Sequence, residues 1–66
     1  MKLNRNKLLL ALANKCWNVP DLAEKTGYSE TIVRAWANGK RNPSPKAIGV
    51  VSKALNVDVL EIVELD

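Results

Sequence analysis

The side chains best suited to ionic chemistry in this sequence are its lysines and arginines, and they are unevenly distributed. Residues 1–55 contain all ten of them but only three acids, Asp21, Glu24 and Glu30, which leaves a net charge of +7. Residues 56–66 contain four acids and no base. A basic body with an acidic end suits phosphate binding on one surface and repulsion of DNA on another. A merely solvated charged surface would have the same composition, so charge alone leaves both interpretations open.

The sequence lacks the residues from which active sites and metal sites are usually built. It contains no histidine, and it has no glycine-rich phosphate loop and no nucleophile–base pair. These features argue against an enzyme, a bound metal and any cofactor. The single Cys16 cannot form an internal disulfide, and we expect a small buried residue in a reducing compartment.

The N-terminal segment MKLNRNKLLLALANK resembles a weak signal peptide. Its apolar run is short and is interrupted by Asn14 and Lys15, and the rest of the chain needs this segment as core. No stretch approaches membrane-spanning length. We therefore expect a single domain over residues 1–66 in the bacterial cytoplasm, associated with the nucleoid and not with a membrane.

The elements that must position the central basic residues are specified by the run NVPDLAEKTGYSETIVRAWANG, residues 18–39. Leu22 and Ala23 belong to a first helix, and the small Ala23 lets a second helix cross close by. Gly27 supplies the positive φ that ends the first helix. Val33 and Trp36, three residues apart, direct one apolar stripe of the second helix inward. This pattern predicts a helix-turn-helix, a unit that commonly enters the major groove of DNA.

Capping residues and apolar spacing predict five helices, and the lack of long apolar–polar alternation argues against strands. The first three helices are expected from after Asn4 to about Cys16, from Pro20 to Lys25 or Thr26, and from after Ser29 to Asn38-Gly39. Ser44 and Pro45 open a fourth, and Asp58 caps a short fifth. The expected inward positions are Leu8, Leu12 and Lys15 or Cys16 in the first helix and Ile48, Val50, Val51 and Leu55 in the fourth. The apolar residues of the fifth helix are Val59, Leu60, Ile62 and Val63.

Three stretches in this order and spacing, LAEKTGYS, WANGKRNPS and SKALNVDVLEI, resemble the Cro/CI-type, or XRE-type, helix-turn-helix family of phage and bacterial repressors. The resemblance covers residues from about Leu8 to Val63. It implies a compact all-α fold of five helices, with helix 2, the turn and helix 3 as the helix-turn-helix. It also implies a small Cro-like repressor, typically a dimer on a partly palindromic operator in double-stranded DNA.

If Val33 and Trp36 point inward, the outer face of helix 3 is occupied by residues at positions that resemble the base-reading ones of the family: Glu30, Thr31, Ile32, Arg34 and Ala35. Arg34 is the best candidate for direct readout, because its guanidinium can donate two bonds to guanine O6 and N7. Thr31 could bond a base or cover a thymine methyl, and Ile32 offers apolar contact only. Glu30 could accept from cytosine N4, yet it repels phosphates. Each could instead be a solvated surface residue.

A second set is expected to hold the DNA backbone, which positions a protein without reading sequence. By resemblance these are Asn18, Ser29, Asn38, Lys40, Arg41, Asn42 and Lys46. The N-termini of helices 2 and 4 could add to the binding of phosphate. Asn38 and Asn42 have an alternative role in turn geometry.

The sequence departs from the family pattern at three places. Val19 stands where many relatives have a glutamine that touches DNA. Leu12 and Ala37 replace an arginine–glutamate pair, which we interpret as apolar repacking of the same contact. Leu9 and Leu10 stand where relatives usually expose polar residues. Either the tail with Val63 and Leu65 covers them, which we favour, or they form a patch for another protein.

That patch supports an alternative function. The chain could be a protein-binding module, such as an antirepressor or antitoxin-like partner, that uses the scaffold without reading DNA. A regulatory protein would then bind at Leu9, Leu10 or the acidic C-terminal end. Glu30 and Ile32 on the reading face favour this alternative, whereas Arg34 and the basic loop oppose it.

Overall fold

The structure is a computed structural model and describes residues 1–65. Four α-helices form the body, and a short 3-10 helix and a two-stranded ribbon close it. In chain order the elements are β1 (Lys2–Leu3), α1 (Arg5–Lys15), α2 (Val19–Thr26), α3 (Glu30–Ala37), α4 (Pro45–Leu55), the 3-10 helix (Val59–Glu61) and β2 (Val63–Glu64).

Helices α1, α3 and α4 start where the sequence predicts because short polar side chains cap their first turns, and α2 starts at Val19, one residue before the predicted Pro20. The Asn4 side chain accepts from the Lys7 N–H, that of Ser29 from Ile32, and that of Ser44 from Ala47. These bonds satisfy amide donors that have no partner within the helix. At Asn18 the Asp21 carboxylate accepts from the Asn18 backbone N–H at 2.8 Å, which helps fix the start of α2.

One hydrophobic core lies between the four helices and the C-terminal segment. Its largest fully buried side chains are Leu8, Leu22, Val33, Ile48, Val51, Leu55 and Ile62. Leu12 and Ala37 belong to the same cluster. The two positions at which the resemblance implies a charge pair are therefore filled by apolar side chains in a continuous core.

The expected fifth helix is a single 3-10 turn, and the chain contains two short strands that the sequence did not predict. The Asp58 side chain accepts from the Leu60 N–H, and the Glu61 carboxylate accepts from the Asp58 N–H. After this turn the backbone extends, and β2 pairs antiparallel with β1 in the register Leu3↔Val63 and Lys2↔Glu64. Pairing with β1 satisfies the backbone of the C-terminal segment and buries Val63, so no further helical turn forms.

The expectation of a buried Cys16 is wrong. Helix α1 ends at Lys15, and Cys16 adopts the left-handed conformation (φ 60°) that closes the helix, with its N–H directed to the Ala13 and Leu12 carbonyls. Both Lys15 and Cys16 are exposed. Ala11, not either of them, joins Leu8 and Leu12 on the buried face of α1.

The expectation that the tail covers Leu9 and Leu10 is also wrong. These side chains are 42% and 67% exposed, and Leu65 is 70% exposed. The strand pairing carries Val63 to Leu3, and the Lys7 ammonium donates to the Val63 carbonyl at 3.2 Å. The tail therefore returns to the start of α1 and leaves the middle of that helix open.

Two classes of feature are absent from the described part of the chain. No cluster of cysteine, aspartate and glutamate side chains in residues 1–65 could hold a metal ion. None of the helices there has the length and apolar character of a membrane span.

Candidate nucleic-acid interface

Helix α3 presents one face to the core and the other to solvent. Val33, Trp36 and Ala37 are buried, as the spacing of Val33 and Trp36 predicts. The turn before the helix is closed by Gly27 at φ 81°, whose N–H donates to the Ala23 carbonyl at 2.9 Å. The Ser29 cap then sets the first turn of α3 and thereby the direction in which its outer side chains project.

The outer face of α3 and the start of the following loop share one shallow concavity of about 340 Å³. It is lined by Glu30, Thr31, Arg34, Ala35, Asn38 and Lys40. Glu30, Thr31 and Arg34 are exposed, and Ala35 is half-buried. Four of the five expected base-reading residues thus lie together with two of the expected phosphate-binding ones.

Ile32 is the expected base reader that lies outside this concavity. Its side chain is half-buried and packs against the core cluster. The part that stays accessible is apolar, so it could offer only a methyl contact.

Arg34 and Glu30 interact with each other on this face. The guanidinium Nη2 donates to Glu30 Oε1 one turn earlier. Because both side chains are about half exposed (53% and 52%), the ion pair is in contact with solvent. Glu30 therefore competes with any ligand for the Arg34 guanidinium.

The loop after α3 uses its backbone to close the helix and leaves its cationic side chains exposed. The Asn38 N–H donates to the Arg34 carbonyl at 2.9 Å, and the amides of Lys40 and Arg41 both donate to the Ala35 carbonyl, at 2.9 and 3.3 Å. Gly39 permits this tight return at φ 76°. Lys40 and Arg41 are therefore held by backbone bonds close to the reading face.

Asn42 has a structural role at the end of this loop. Its Oδ1 accepts from the Leu3 N–H and its Nδ2 donates to the Met1 carbonyl, each at 3.3 Å. Both halves of the amide are engaged with the N-terminal segment, so a phosphate contact by Asn42 stays a prediction that must compete with these bonds.

The remaining expected phosphate-binding residues are exposed but lie outside the concavity on α3. Asn18 precedes α2, Ser29 caps α3, and Lys46 stands in the first turn of α4. Ser29 Oγ is already used as acceptor for the Ile32 N–H. Their contacts with DNA also stay predictions.

Comparison with known proteins adds the decisive observation. A protein-family model described as Helix-turn-helix matches residues 21–62, from α2 to the residue after the 3-10 helix. The chain belongs to the Cro/CI-type (XRE) helix-turn-helix family. It is a DNA-binding transcription regulator of this type. No curated protein and no solved structure gave a significant match.

In this helix-turn-helix protein two aromatic contacts support the DNA-binding unit, and sequence reasoning missed both. Tyr28, in the turn, packs edge-on against Trp36 with ring centroids 5.0 Å apart and planes at 71°. Trp17, before α2, has the ammonium groups of Lys15 and Lys25 at 5.8 and 5.9 Å from its ring centroid. An aromatic residue directly after the turn glycine was the available signal for the first contact. The second needs the fold, because the path of the chain between α1 and α2 decides whether Lys15 and Lys25 reach the same ring.

Proposed function

We propose that this helix-turn-helix protein is a small Cro-like repressor that reads the major groove of an operator with α3. The single observation that supports it best is the shared concavity of Glu30, Thr31, Arg34 and Ala35 with Asn38 and Lys40. In this concavity the Arg34 guanidinium, which suits guanine, lies with the loop residue Lys40, whose ammonium suits phosphate. The function needs no catalytic step and no cofactor, and we propose that it is exercised in the bacterial cytoplasm, at the nucleoid.

Within this proposal the residues have separate tasks. Arg34 reads a guanine, Thr31 and Ala35 contact neighbouring base edges or methyl groups, and Ile32 adds an apolar contact. Glu30 narrows the choice of bases because its carboxylate can accept a hydrogen bond from cytosine N4. The same carboxylate repels nearby phosphates. The DNA backbone is held by Lys40, Arg41 and Lys46, with Asn18, Ser29 and Asn38 as polar contacts. A phosphate contact by Asn42 would have to displace the bonds of its amide to Met1 and Leu3.

The operator is best sought by selection of bound sites from random duplex DNA. A palindrome with half-sites about 34 Å, or one helical turn, apart would support both base reading and a homodimer on DNA. The matched control is the triple variant Arg34→Ala, Lys40→Ala, Arg41→Ala, which keeps the buried face of α3 intact and should enrich no site. Absence of enrichment with the unmodified protein would contradict the proposed function.

A second candidate function, binding of another protein, is favoured by one specific observation. Leu10 and Leu60 are 67% and 60% exposed and line a common groove with Val57 between α1 and the 3-10 helix. Lys7 and Glu61 stand at the same groove. An apolar strip with opposite charges beside it suits a protein surface, either a regulatory partner or a second copy of this chain.

Sedimentation of the free protein and of the protein–DNA complex would separate these uses of the groove. Leu10→Ser with Leu60→Ser should abolish any dimer that forms there. The matched control is Leu65→Ser, which changes an equally exposed leucine outside the groove. If the double variant dimerises normally and binds DNA normally, the groove has no part in operator binding.

A further inference from the structure

The N-terminal strand lies beside the loop that follows α3, and the two form a second concavity of about 450 Å³. Its lining includes three cationic residues, Lys2, Arg5 and Arg41, and one acid, Glu64. Trp36 of the buried face of α3 forms part of its wall. Two of these cations come from the start of the chain, far in sequence from the helix-turn-helix.

Hydrogen bonds from two sides hold β1 in this place. On one side, Asn42 bonds the backbone of Met1 and Leu3. On the other, β2 pairs with β1, and the Asn4 N–H donates to the Ile62 carbonyl at 2.8 Å. The backbone that carries Lys2 and Arg5 is therefore fixed relative to Arg41, while all three side chains are exposed.

The charge in this concavity is not neutralised from within. No salt bridge in the described residues engages Lys2, Arg5 or Arg41. The opposing carboxylate, Glu64, accepts a hydrogen bond from the Asn4 side-chain amide. Among the side chains, three cations against one carboxylate leave an excess of two positive charges on a surface continuous with the loop.

We propose that Lys2 and Arg5 form a second phosphate-binding strip, which holds the DNA backbone next to the phosphates bound by Lys40 and Arg41. The inference rests on the proposed function, since it requires that this loop faces DNA. Arg41 belongs to the loop after α3 and also lines the second concavity, so a DNA backbone that reaches the loop passes directly to the strip. The strip adds affinity for every sequence and reads none, because charge contacts to phosphate carry no base information. Asn42 acts as the positioning residue that keeps β1 against the loop.

The test is the salt dependence of binding to random duplex DNA, followed by fluorescence anisotropy. Each phosphate contact contributes about 0.9 to the slope of log K against log salt concentration. Lys2→Gln with Arg5→Gln should lower the slope by about 1.8, so that a fourfold rise in salt costs the variant about twelvefold less affinity than it costs the unmodified protein. Lys53→Gln, an exposed lysine of α4 outside both concavities, is the control for charge alone. Circular dichroism checks that each variant is folded.

The outcomes separate the inference from the proposed function. If the unmodified protein binds no DNA at low salt, the proposed function fails. If it binds, and Lys40→Gln with Arg41→Gln lowers the slope while Lys2→Gln with Arg5→Gln behaves like Lys53→Gln, only the second strip is overturned.

A double-mutant cycle tests the role of Asn42. If Asn42 acts by holding β1, Asn42→Ala weakens binding in the unmodified protein but has no further effect when Lys2 and Arg5 are already glutamine. An undiminished effect in that background would assign Asn42 a phosphate contact of its own and would overturn its role as a positioning residue.

Discussion

Arg34 donates to Glu30 across one turn of α3, and both side chains remain about half exposed on the outer face of that helix. The side chain best able to read guanine is thus engaged by an acid of its own helix. Exposed pairs of this spacing contribute only about 0.3–0.5 kcal/mol, so a base edge or a phosphate can displace Glu30 without a large cost. The ion pair holds the Arg34 guanidinium in place before DNA binds, and the Glu30 carboxylate opposes the approach of a phosphate.

Removal of the acid should therefore strengthen non-specific binding. We expect Glu30→Gln to raise the affinity for random duplex DNA several-fold at low salt, because one negative charge leaves the face that approaches phosphate. The measurement is anisotropy titration on unrelated duplexes. Glu24→Gln, which removes an exposed carboxylate from α2, is the control, and weaker binding by Glu30→Gln would contradict the prediction.

The same variant should lose a little stability. Glu30 stands in the first turn of α3, where a negative charge favours the helix by about 0.3–1 kcal/mol. Urea unfolding should detect a loss of that size together with the loss of the ion pair. An unchanged midpoint would mean that neither interaction contributes.

Arg34 should discriminate bases through its geometry as well as its charge. Lysine keeps the charge but cannot donate two parallel bonds, so Arg34→Lys should bind random DNA almost normally and lose about 1–3 kcal/mol on the selected operator. Arg34→Ala should weaken binding to random DNA and should also lose the preference for the operator. Competition between the operator and a duplex altered at its guanine measures the difference. Retained discrimination by Arg34→Lys would exclude the bidentate contact.

The loop cations should act on all sequences alike. Lys40→Gln and Arg41→Gln should each lower the salt slope by about one unit and weaken operator and random DNA in the same proportion. The amides of both residues bond the Ala35 carbonyl, and a side-chain change leaves these bonds in place. Salt titrations on both duplexes, with Lys53→Gln as control, would show the effect. A slope that does not change would remove the loop from the interface.

Replacement of Gly27 and of Gly49 by alanine should change the free energy of unfolding in opposite directions. Gly27 has φ 81° and Gly49 lies within α4, and an added Cβ meets nothing within 4 Å at either position. Backbone conformation alone should then decide: Gly27→Ala should destabilise by about 1–2 kcal/mol, and Gly49→Ala should stabilise by about 0.5–1 kcal/mol. Denaturant unfolding of the two variants compares them directly. A stabilising Gly27→Ala would contradict the left-handed turn.

Much of the scaffold could be predicted because its signals are local. Asn4, Ser29 and Ser44 each cap a helix by accepting from an amide three residues ahead, and such a partner is visible in the sequence. The spacing of Val33 and Trp36 likewise places both on the buried face. The membership in the helix-turn-helix family follows from the same inner pattern, which the match over residues 21–62 confirms.

The candidate site was predictable to the extent that helix geometry decides it. Once the inner face of α3 is known, Glu30, Thr31, Arg34 and Ala35 must share the outer one. The ion pair between Glu30 and Arg34 was within reach of the same reasoning, because four residues separate them. The engagement of Asn42 with residues 39 and 41 positions away had no local signal.

The sequence by itself determined the helix-turn-helix, its caps and the residues on each face of α3, because these depend on spacing within one or two helical turns. The tertiary structure decided where the two ends of the chain meet. Pairing of β1 with β2 replaced the expected fifth helix by a 3-10 turn, drew Val63 away from Leu9 and Leu10, and brought Lys2 and Arg5 beside Arg41. Contacts between such distant residues depend on the path of the whole chain, since a local pattern does not specify which segment will satisfy a given backbone.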